Sequence, residues 1–101
     1  MLIYNTTYQV AMADARNFVI WLTECYIPQV KENGILQNPR LCNILSHKEE
    51  DSECFSLQFE VADSATLHRW HTTQGAKLNS ELEKTFKGKV VGFHTLMEVI
   101  Q

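Results

Sequence analysis

The order of two hydrophobic periodicities along the chain constrains its fold more than any other feature of the sequence. Over residues 2–10, apolar and aromatic residues alternate with polar ones, which is typical of a half-buried strand. From Met12 the apolar residues recur three and four positions apart, which is typical of an amphipathic helix. The same change of period occurs again where the alternating run 54–61 gives way to a helical pattern. Residues 35–47 and the closing stretch KGKVVGFHTLMEVI predict two further strands.

The predicted order is therefore β-α-β-β-α-β in one domain over residues 1–101, which indicates an α+β protein with a ferredoxin-like fold. Right-handed crossovers place both helices on one face of a four-stranded antiparallel sheet and leave the other face bare. The last strand is apolar on both faces, with Val91, Phe93, Met97 and Val99 on one and Val90, Leu96 and Ile100 on the other. Such a strand needs a second cover. We expect a homodimer through the open sheet face, in which Leu96→Asp would break the interface.

Local signals place the ends and interruptions of the two helices. Asp63 or Ser64 is expected to cap the second helix, because a short polar side chain accepts hydrogen bonds from free backbone N–H groups there. Pro28 is expected to kink or restart the first helix, and Gly75 to interrupt the second. Trp21 falls on the outer side of the first helix and has no predicted place in the core.

Charge and cysteine content exclude several classes of function. Nine basic and 12 acidic residues give a net charge of −3, and no basic face is present, so nucleic acid is not an expected partner. The opening MLIYNTTYQV has no basic start and no long apolar run, so we expect neither a signal peptide nor a membrane span there. Three cysteines without metal-binding spacing predict free thiols. We therefore expect a cytoplasmic protein with no membrane association.

The stretch TLHRWHTTQGAKLNSE carries the densest group of chemically active side chains. Its helical periodicity puts Trp70 and His71 on the stripe that faces the sheet and His68 at the edge of that stripe. The pair His68 and His71 could hold a metal only with ligands from elsewhere, and the chain has no companion at the usual spacings. We expect no metal, and we interpret the imidazole of His71 as a half-buried group with a hydrogen-bond partner.

Three stretches of this chain resemble a family of uncharacterised small bacterial proteins known only as a domain of unknown function. They are MLIYNTTYQV, YIPQVKENGIL and GKVVGFHTLMEVI, and with their spacing they cover most of the 101 residues. The resemblance implies membership of the dimeric α+β barrel superfamily. That superfamily includes antibiotic-biosynthesis-type monooxygenases, haem-degrading enzymes and muconolactone isomerases, and its fold alone does not select among them.

The resemblance also raises a haem hypothesis. Haem-degrading members of the superfamily use an asparagine on the first strand and a tryptophan and a histidine on the second helix, which implies Asn5 and Trp70 for two of these roles. At the family's histidine position this chain has Ser80, which cannot ligate iron usefully. His71 and His94 are the other candidate ligands. We expect no cofactor, with haem binding or degradation as the lesser alternative.

A cofactor-free monooxygenase-like enzyme would need a cavity in which polar groups orient a small apolar or aromatic molecule. Alternation on the strands supplies polar groups for it, and the second helix and last strand supply aromatic ones. Our candidate cavity residues are Asn5, Thr7, Gln58, Glu60, Trp70, His71 and His94. No residue is identified as catalytic. A small-ligand-binding barrel, with or without catalysis, is the first hypothesis, and a non-catalytic homodimeric interaction module is the alternative.

Overall fold

The computed structural model describes residues 1–46 and 49–101. The strands are β1 (Leu2–Ala11), β2 (Gln37–Asn43), β3 (Ser52–Val61) and β4 (Val90–Glu98). After a 3-10 turn at Met12–Asp14, the first helix comprises α1 (Ala15–Trp21), a π-helical turn at Leu22–Tyr26 and α2 (Ile27–Lys31). The second helix comprises α3 (Ser64–Trp70), a π-helical turn at His71–Gly75 and α4 (Ala76–Phe86).

The four strands form one antiparallel sheet in the order β2-β3-β1-β4. This confirms the predicted βαββαβ arrangement, with both helices on one face. The predicted second strand reached His47, which lies outside the described residues. In the structure β2 ends at Asn43, and a bulge between Gln37 and Arg40 accommodates Pro39, which cannot donate a hydrogen bond to the ladder.

Strand register decides which side chains face the helices. Thr6 of β1 lies opposite Leu57 of β3 and His94 of β4, so these three side chains point to the same, helix-covered side. The intervening residues Asn5 and Thr7 point to the open side. The predicted division of β1 into a more apolar and a more polar face is therefore confirmed.

The core lies between the sheet and the two helices. Its largest fully buried side chains are Trp70, Phe18, Phe59, Leu22, Leu36, Leu57, Leu78, Val10 and Val30. The expectation that Trp21 has no place in the core was wrong. Its ring packs against Phe18 and Tyr26 of the same helix and against Phe86 at the end of α4.

Each helix contains one π-helical turn near its middle. In the first helix α2 follows that turn directly, with Pro28 in its first turn, so the predicted restart at Pro28 coincides with the end of the π-turn. In the second helix the π-turn ends at Gly75, the residue predicted to interrupt this helix, and α4 follows directly. The cap prediction is also confirmed at Asp63, whose Oδ1 accepts a 2.7 Å hydrogen bond from the backbone N–H of Thr66.

Strand β4 forms one edge of the sheet, and all its residues after Val90 are exposed in the single chain. Val91, Phe93 and Met97 lie on the open side of the sheet. Leu96 lies opposite Tyr4 and so faces the helix side, which corrects its use as the residue whose replacement would break an open-face interface. In the described part of the chain, no helix has the length and apolar character needed to cross a membrane.

Candidate functional site

A cavity of about 520 Å³ lies between the sheet and the second helix. Strands β1 and β4 form one wall, and the π-turn at His71–Gly75 together with α4 forms the other. Tyr4, Thr6, Tyr8, Tyr26, Trp70, His71, Asn79, Glu83 and His94 provide its polar or aromatic lining, while Leu78, Leu82 and Val90 contribute apolar surface. A cavity of this size and mixed lining is typical of a small-molecule site.

Strand alternation and helix geometry bring these side chains together. Tyr4, Thr6 and Tyr8 are successive helix-side residues of β1, and the register of β4 places His94 directly beside Thr6. Trp70 ends α3, and its indole is 1% exposed against the sheet. His71 begins the π-turn at His71–Gly75 and is half-buried as expected, but within the described residues its ring has no hydrogen-bond partner, which corrects that part of the expectation.

Tyr4 is the central contact of this group. Its hydroxyl lies 2.8 Å from Nδ1 of His94, and its ring stacks on that imidazole with centroids 5.5 Å apart. The same ring makes edge contacts with His71 at 5.2 Å and with Trp70 at 6.1 Å. Thr6 Oγ1 approaches the same Nδ1 atom of His94 at 3.1 Å. One wall of the cavity is thus a continuous aromatic surface carrying hydroxyl and imidazole groups.

Burial favours the neutral forms of the imidazoles and phenols that line the cavity. Loss of hydration lowers the pKa of the His71 imidazole, with a smaller effect from His94, and partial desolvation lowers the pKa of the His94 imidazole, whose outer side is exposed. Burial raises the pKa of Tyr8 to about 12 and also raises the pKa values of Tyr4 and Tyr26. Neutral imidazoles and protonated phenols therefore face the cavity. Both can form hydrogen bonds with a bound molecule, and the imidazoles can also accept a proton.

The structure divides the seven predicted site residues into two groups. Trp70, His71 and His94 line the cavity. Asn5, Thr7, Gln58 and Glu60 lie on the opposite, open side of the sheet, because odd positions of β1 pair with even positions of β3. A single cavity containing all seven residues is therefore not formed.

The polar residues of the open side bond mainly to one another. Ser56 Oγ donates to Asn5 Oδ1, and Asn5 Nδ2 donates to Thr7 Oγ1 at 3.1 Å. Glu60 accepts a 3.0 Å hydrogen bond from Asn38 Nδ2. Gln58 and Glu60 also line a second pocket, together with Lys31 and Arg40. These hydrogen bonds satisfy the polar groups of the open side. The groups themselves face away from the first cavity.

Three polar cavity residues, Thr6, Asn79 and Glu83, were missed by reasoning from the sequence. Thr6 was grouped with the apolar face of β1 but was not considered as a site residue, although that face lies beneath the helices. Asn79, in α4, carries no pattern that separates it from an ordinary surface position. The three tyrosines Tyr4, Tyr8 and Tyr26 were considered as possible lining residues, and all three line the cavity.

The residues present do not fit the haem arrangement implied by the resemblance. Asn5 faces away from Trp70, across the sheet, and Ser80 is exposed on α4 rather than part of the cavity lining. Within residues 1–46 and 49–101, no three His, Cys, Asp or Glu side chains converge closely enough to hold a metal ion. His71 and His94 are the imidazoles that face the cavity.

The fold and the cavity define an α+β protein of the ferredoxin-like class with a site of small-molecule size. The chain belongs to the family described as Domain of unknown function (DUF4286), whose sequence profile matches residues 1–100. This confirms the resemblance to a family of uncharacterised proteins. No curated protein matches the sequence.

Solved structures with the same fold cover nearly the whole chain. A protein from Deinococcus radiodurans assigned to the antibiotic biosynthesis monooxygenases has a TM-score of 0.72 and 16% identity, covering 100% of this chain and 94% of its own. An ethyl tert-butyl ether D (EthD) family protein from Bacillus halodurans has a TM-score of 0.69 and 13% identity, and the match covers 99% of this chain and 100% of that protein. A dimeric ferredoxin-like protein from an uncultured marine organism has a TM-score of 0.69 and 13% identity, and the match covers 99% of this chain and 95% of that protein. At these identities the likeness establishes the fold.

Proposed function

We propose that this protein binds a small, flat aromatic molecule in the cavity between the sheet and the second helix. The observation that carries the proposal is the aromatic wall formed by Tyr4, Trp70, His71 and His94 on a cavity of about 520 Å³. Aromatic walls bind flat rings through stacking and edge contacts, and the polar groups among them fix orientation.

Proton transfer is the chemistry best suited to this lining. His71 is half-buried, its pKa is lowered by loss of hydration, and within the described residues its ring makes aromatic contacts but no hydrogen bond. A neutral imidazole in that state can accept a proton from an acidic hydroxyl of a bound ligand. A cofactor-free enzyme acting on phenols would need such a base. The similar fold of the Deinococcus protein, which is assigned to the monooxygenases, supports this reaction class by analogy.

Filling the cavity tests the binding proposal directly. Gly92 lines the cavity beside Tyr8, and a Cβ added there would make ordinary contacts at 3.5 Å, so Gly92→Leu should occupy the site without straining the strand. Thr95→Leu is the matched control, because Thr95 lies on the other side of β4. We expect 1-naphthol to shift backbone amide NMR signals of the cavity residues in the wild type and in Thr95→Leu, but not in Gly92→Leu.

Two results would contradict the proposal. One is a set of shifts on the open side of the sheet, and the other is unchanged binding by Gly92→Leu. Native mass spectrometry of freshly purified protein adds an independent measurement. A retained mass of a few hundred daltons would identify the class of the natural ligand, and it should be lost in Gly92→Leu.

The protein acts as a homodimer under this proposal. Its open sheet side carries exposed Val91, Phe93 and Met97 along β4, and a face of that kind favours association with a second copy. One similar solved structure is of a dimeric ferredoxin-like protein. The three cysteines are free thiols, which suits a reducing compartment, and we expect the cytoplasm.

A further inference from the structure

Two hydroxyl groups approach a single ring nitrogen in the cavity wall. Tyr4 Oη lies 2.8 Å and Thr6 Oγ1 lies 3.1 Å from Nδ1 of His94. Tyr4 is 3% exposed and Thr6 is also 3% exposed, so neither hydroxyl can turn freely to water. The Thr6 hydroxyl is also placed to donate to the Tyr4 or the Tyr8 hydroxyl. The hydrogens of Tyr4, Thr6 and His94 are therefore satisfied mainly by neighbouring side chains of the cavity wall.

Counting hydrogens decides between the two neutral tautomers of His94. If Nδ1 carried the proton, its hydrogen and the Tyr4 and Thr6 hydrogens would compete for two oxygens, and one of the three would need an acceptor outside this group. If Nδ1 is unprotonated, the Tyr4 hydroxyl can donate to it and the Thr6 hydroxyl can donate to the same nitrogen or to Tyr4 Oη. Every hydrogen then has an acceptor, so the second arrangement is the stable one.

We propose that Tyr4 and Thr6 hold His94 as the Nε2–H tautomer, so that the cavity presents one fixed N–H donor to its ligand. Both hydrogen bonds of His94 are made at Nδ1, which leaves Nε2, across the ring, available to a bound molecule. The matching ligand is an aromatic compound with an oxygen acceptor, namely a phenolate or an aryl ketone. This ligand class rests on the proposed function, whereas the tautomer does not.

The roles of the two cavity histidines then differ. His94 donates through Nε2 and cannot accept a proton at Nδ1 without reversing the Tyr4 hydrogen bond. His71, at 5.7 Å between ring centroids, has no such constraint and is the imidazole that can accept a proton. A hydroxylated aromatic ligand would place its oxygen near the His94 N–H, where that donor stabilises the ionised form. Tyr4 and Thr6 are positioning residues in this arrangement, since they act through His94.

The tautomer is measured on the free protein by two-bond 1H–15N NMR of histidine-labelled samples at pH 8. We expect the His94 signals to show the Nε2–H form alone, in the wild type and in the single variants Tyr4→Phe and Thr6→Val, because either hydroxyl can donate to Nδ1. The double variant should show a mixture of both tautomers. An Nδ1–H form or a mixture in the wild type would overturn the tautomer assignment, whether or not the double variant folds.

The ligand class is measured by comparing 4-nitrophenol with toluene, which has the ring but no oxygen acceptor. His94→Phe keeps a ring in the wall and removes the donor, so it should weaken 4-nitrophenol binding about tenfold and change toluene binding by less than about twofold. Equal losses for both compounds would overturn the donor role of His94. Failure of both compounds to bind the wild type would overturn the ligand class together with the proposed function, while the NMR result would still decide the tautomer.

Discussion

The indole Nε1 of Trp70 donates a 2.7 Å hydrogen bond to Oε1 of Gln74, and this contact spans the π-turn of the second helix. Gln74 Nε2 donates in turn to the carbonyl oxygen of Gln29 in the first helix at 2.6 Å. Asn33 Nδ2 adds a 3.1 Å bond to the same Oε1 atom. One glutamine therefore satisfies the buried indole and joins the two helices.

Replacing Gln74 with leucine should destabilise the protein. The substitution leaves the Trp70 N–H buried without an acceptor, so we expect the free energy of unfolding in urea to fall by about 1–3 kcal/mol. Asn33→Ala removes two exposed hydrogen bonds, the one to Gln74 Oε1 and the one from the Ile35 backbone N–H, and should cost less than Gln74→Leu because it leaves no buried group unpaired. Equal losses for the two variants would contradict the central role of Gln74.

Gly75→Ala should also destabilise the protein, although alanine is the better helix former. A Cβ at Gly75 would lie 2.8 Å from Cζ3 and 3.0 Å from Cε3 of Trp70, an indole that cannot move because it is fully packed. The overlap should outweigh the helix-propensity gain and leave a net loss of about 1–2 kcal/mol, with altered tryptophan fluorescence.

Ala76→Gly is the matched control, since it changes helix propensity at the next, exposed position. It should lose about 1 kcal/mol and leave the fluorescence unchanged. A stabilised Gly75→Ala variant would show that the indole is free to shift.

These two residues illustrate what the sequence could and could not predict. Gly75 was predicted to interrupt the second helix; in the structure it ends the π-turn with helical backbone angles, and the helix continues into α4. The π-turn itself was not predicted, since a one-residue widening of a helix leaves no periodic signal over five residues. The contacts made at this turn are tertiary: Gly75 leaves room for the Trp70 indole, and Gln74 joins that indole to the first helix.

Asn5 shows a different limit. Alternation correctly separated Asn5 from Tyr4, but the predicted site combined polar residues of the open side with aromatic residues of the second helix. The pattern held enough information to avoid this, because the apolar face of β1 must be the one beneath the helices. The neighbours of His94 could not be derived in the same way, since they depend on strand register, which the sequence did not specify.

Stability should fall as the pH is lowered from 7.5 to 5.5. The pKa values of His71 and His94 are lowered in the folded protein, so below about 6.5 the unfolded chain binds protons that the folded chain does not. The sign is therefore a loss of stability with falling pH, read as a decrease in the urea midpoint.

His71→Gln should flatten this pH dependence, whereas His68→Gln, at an exposed position of the same helix, should not. Asp63 does not interfere in this range. Hydrogen bonding from the Thr66 backbone N–H lowers the pKa of that carboxyl, so its effect appears at more acidic pH. A midpoint that stays constant from pH 7.5 to 5.5 would show that the imidazoles are as accessible in the folded protein as in the unfolded one.

Phe93→Asp should dissociate the proposed homodimer. Phe93 is 59% exposed on the open side of β4, and an unpaired carboxylate there would be buried by the partner, weakening association by about two orders of magnitude. Ile20→Asp is the control, because Ile20 is comparably exposed, at 42%, but lies on the first helix. Light scattering should give a monomer mass for the first variant and a dimer mass for the second. A dimeric Phe93→Asp protein would place the interface elsewhere.

Strand β4 belongs to two surfaces at once. Phe93 points to the open side and His94 to the cavity, and a single peptide bond joins them. A partner that fixes the position of β4 also fixes the cavity wall, and a ligand that holds His94 restrains the strand from within. Dimer formation and ligand binding are then thermodynamically linked. If either of them orders β4, the other has a smaller entropy cost to meet.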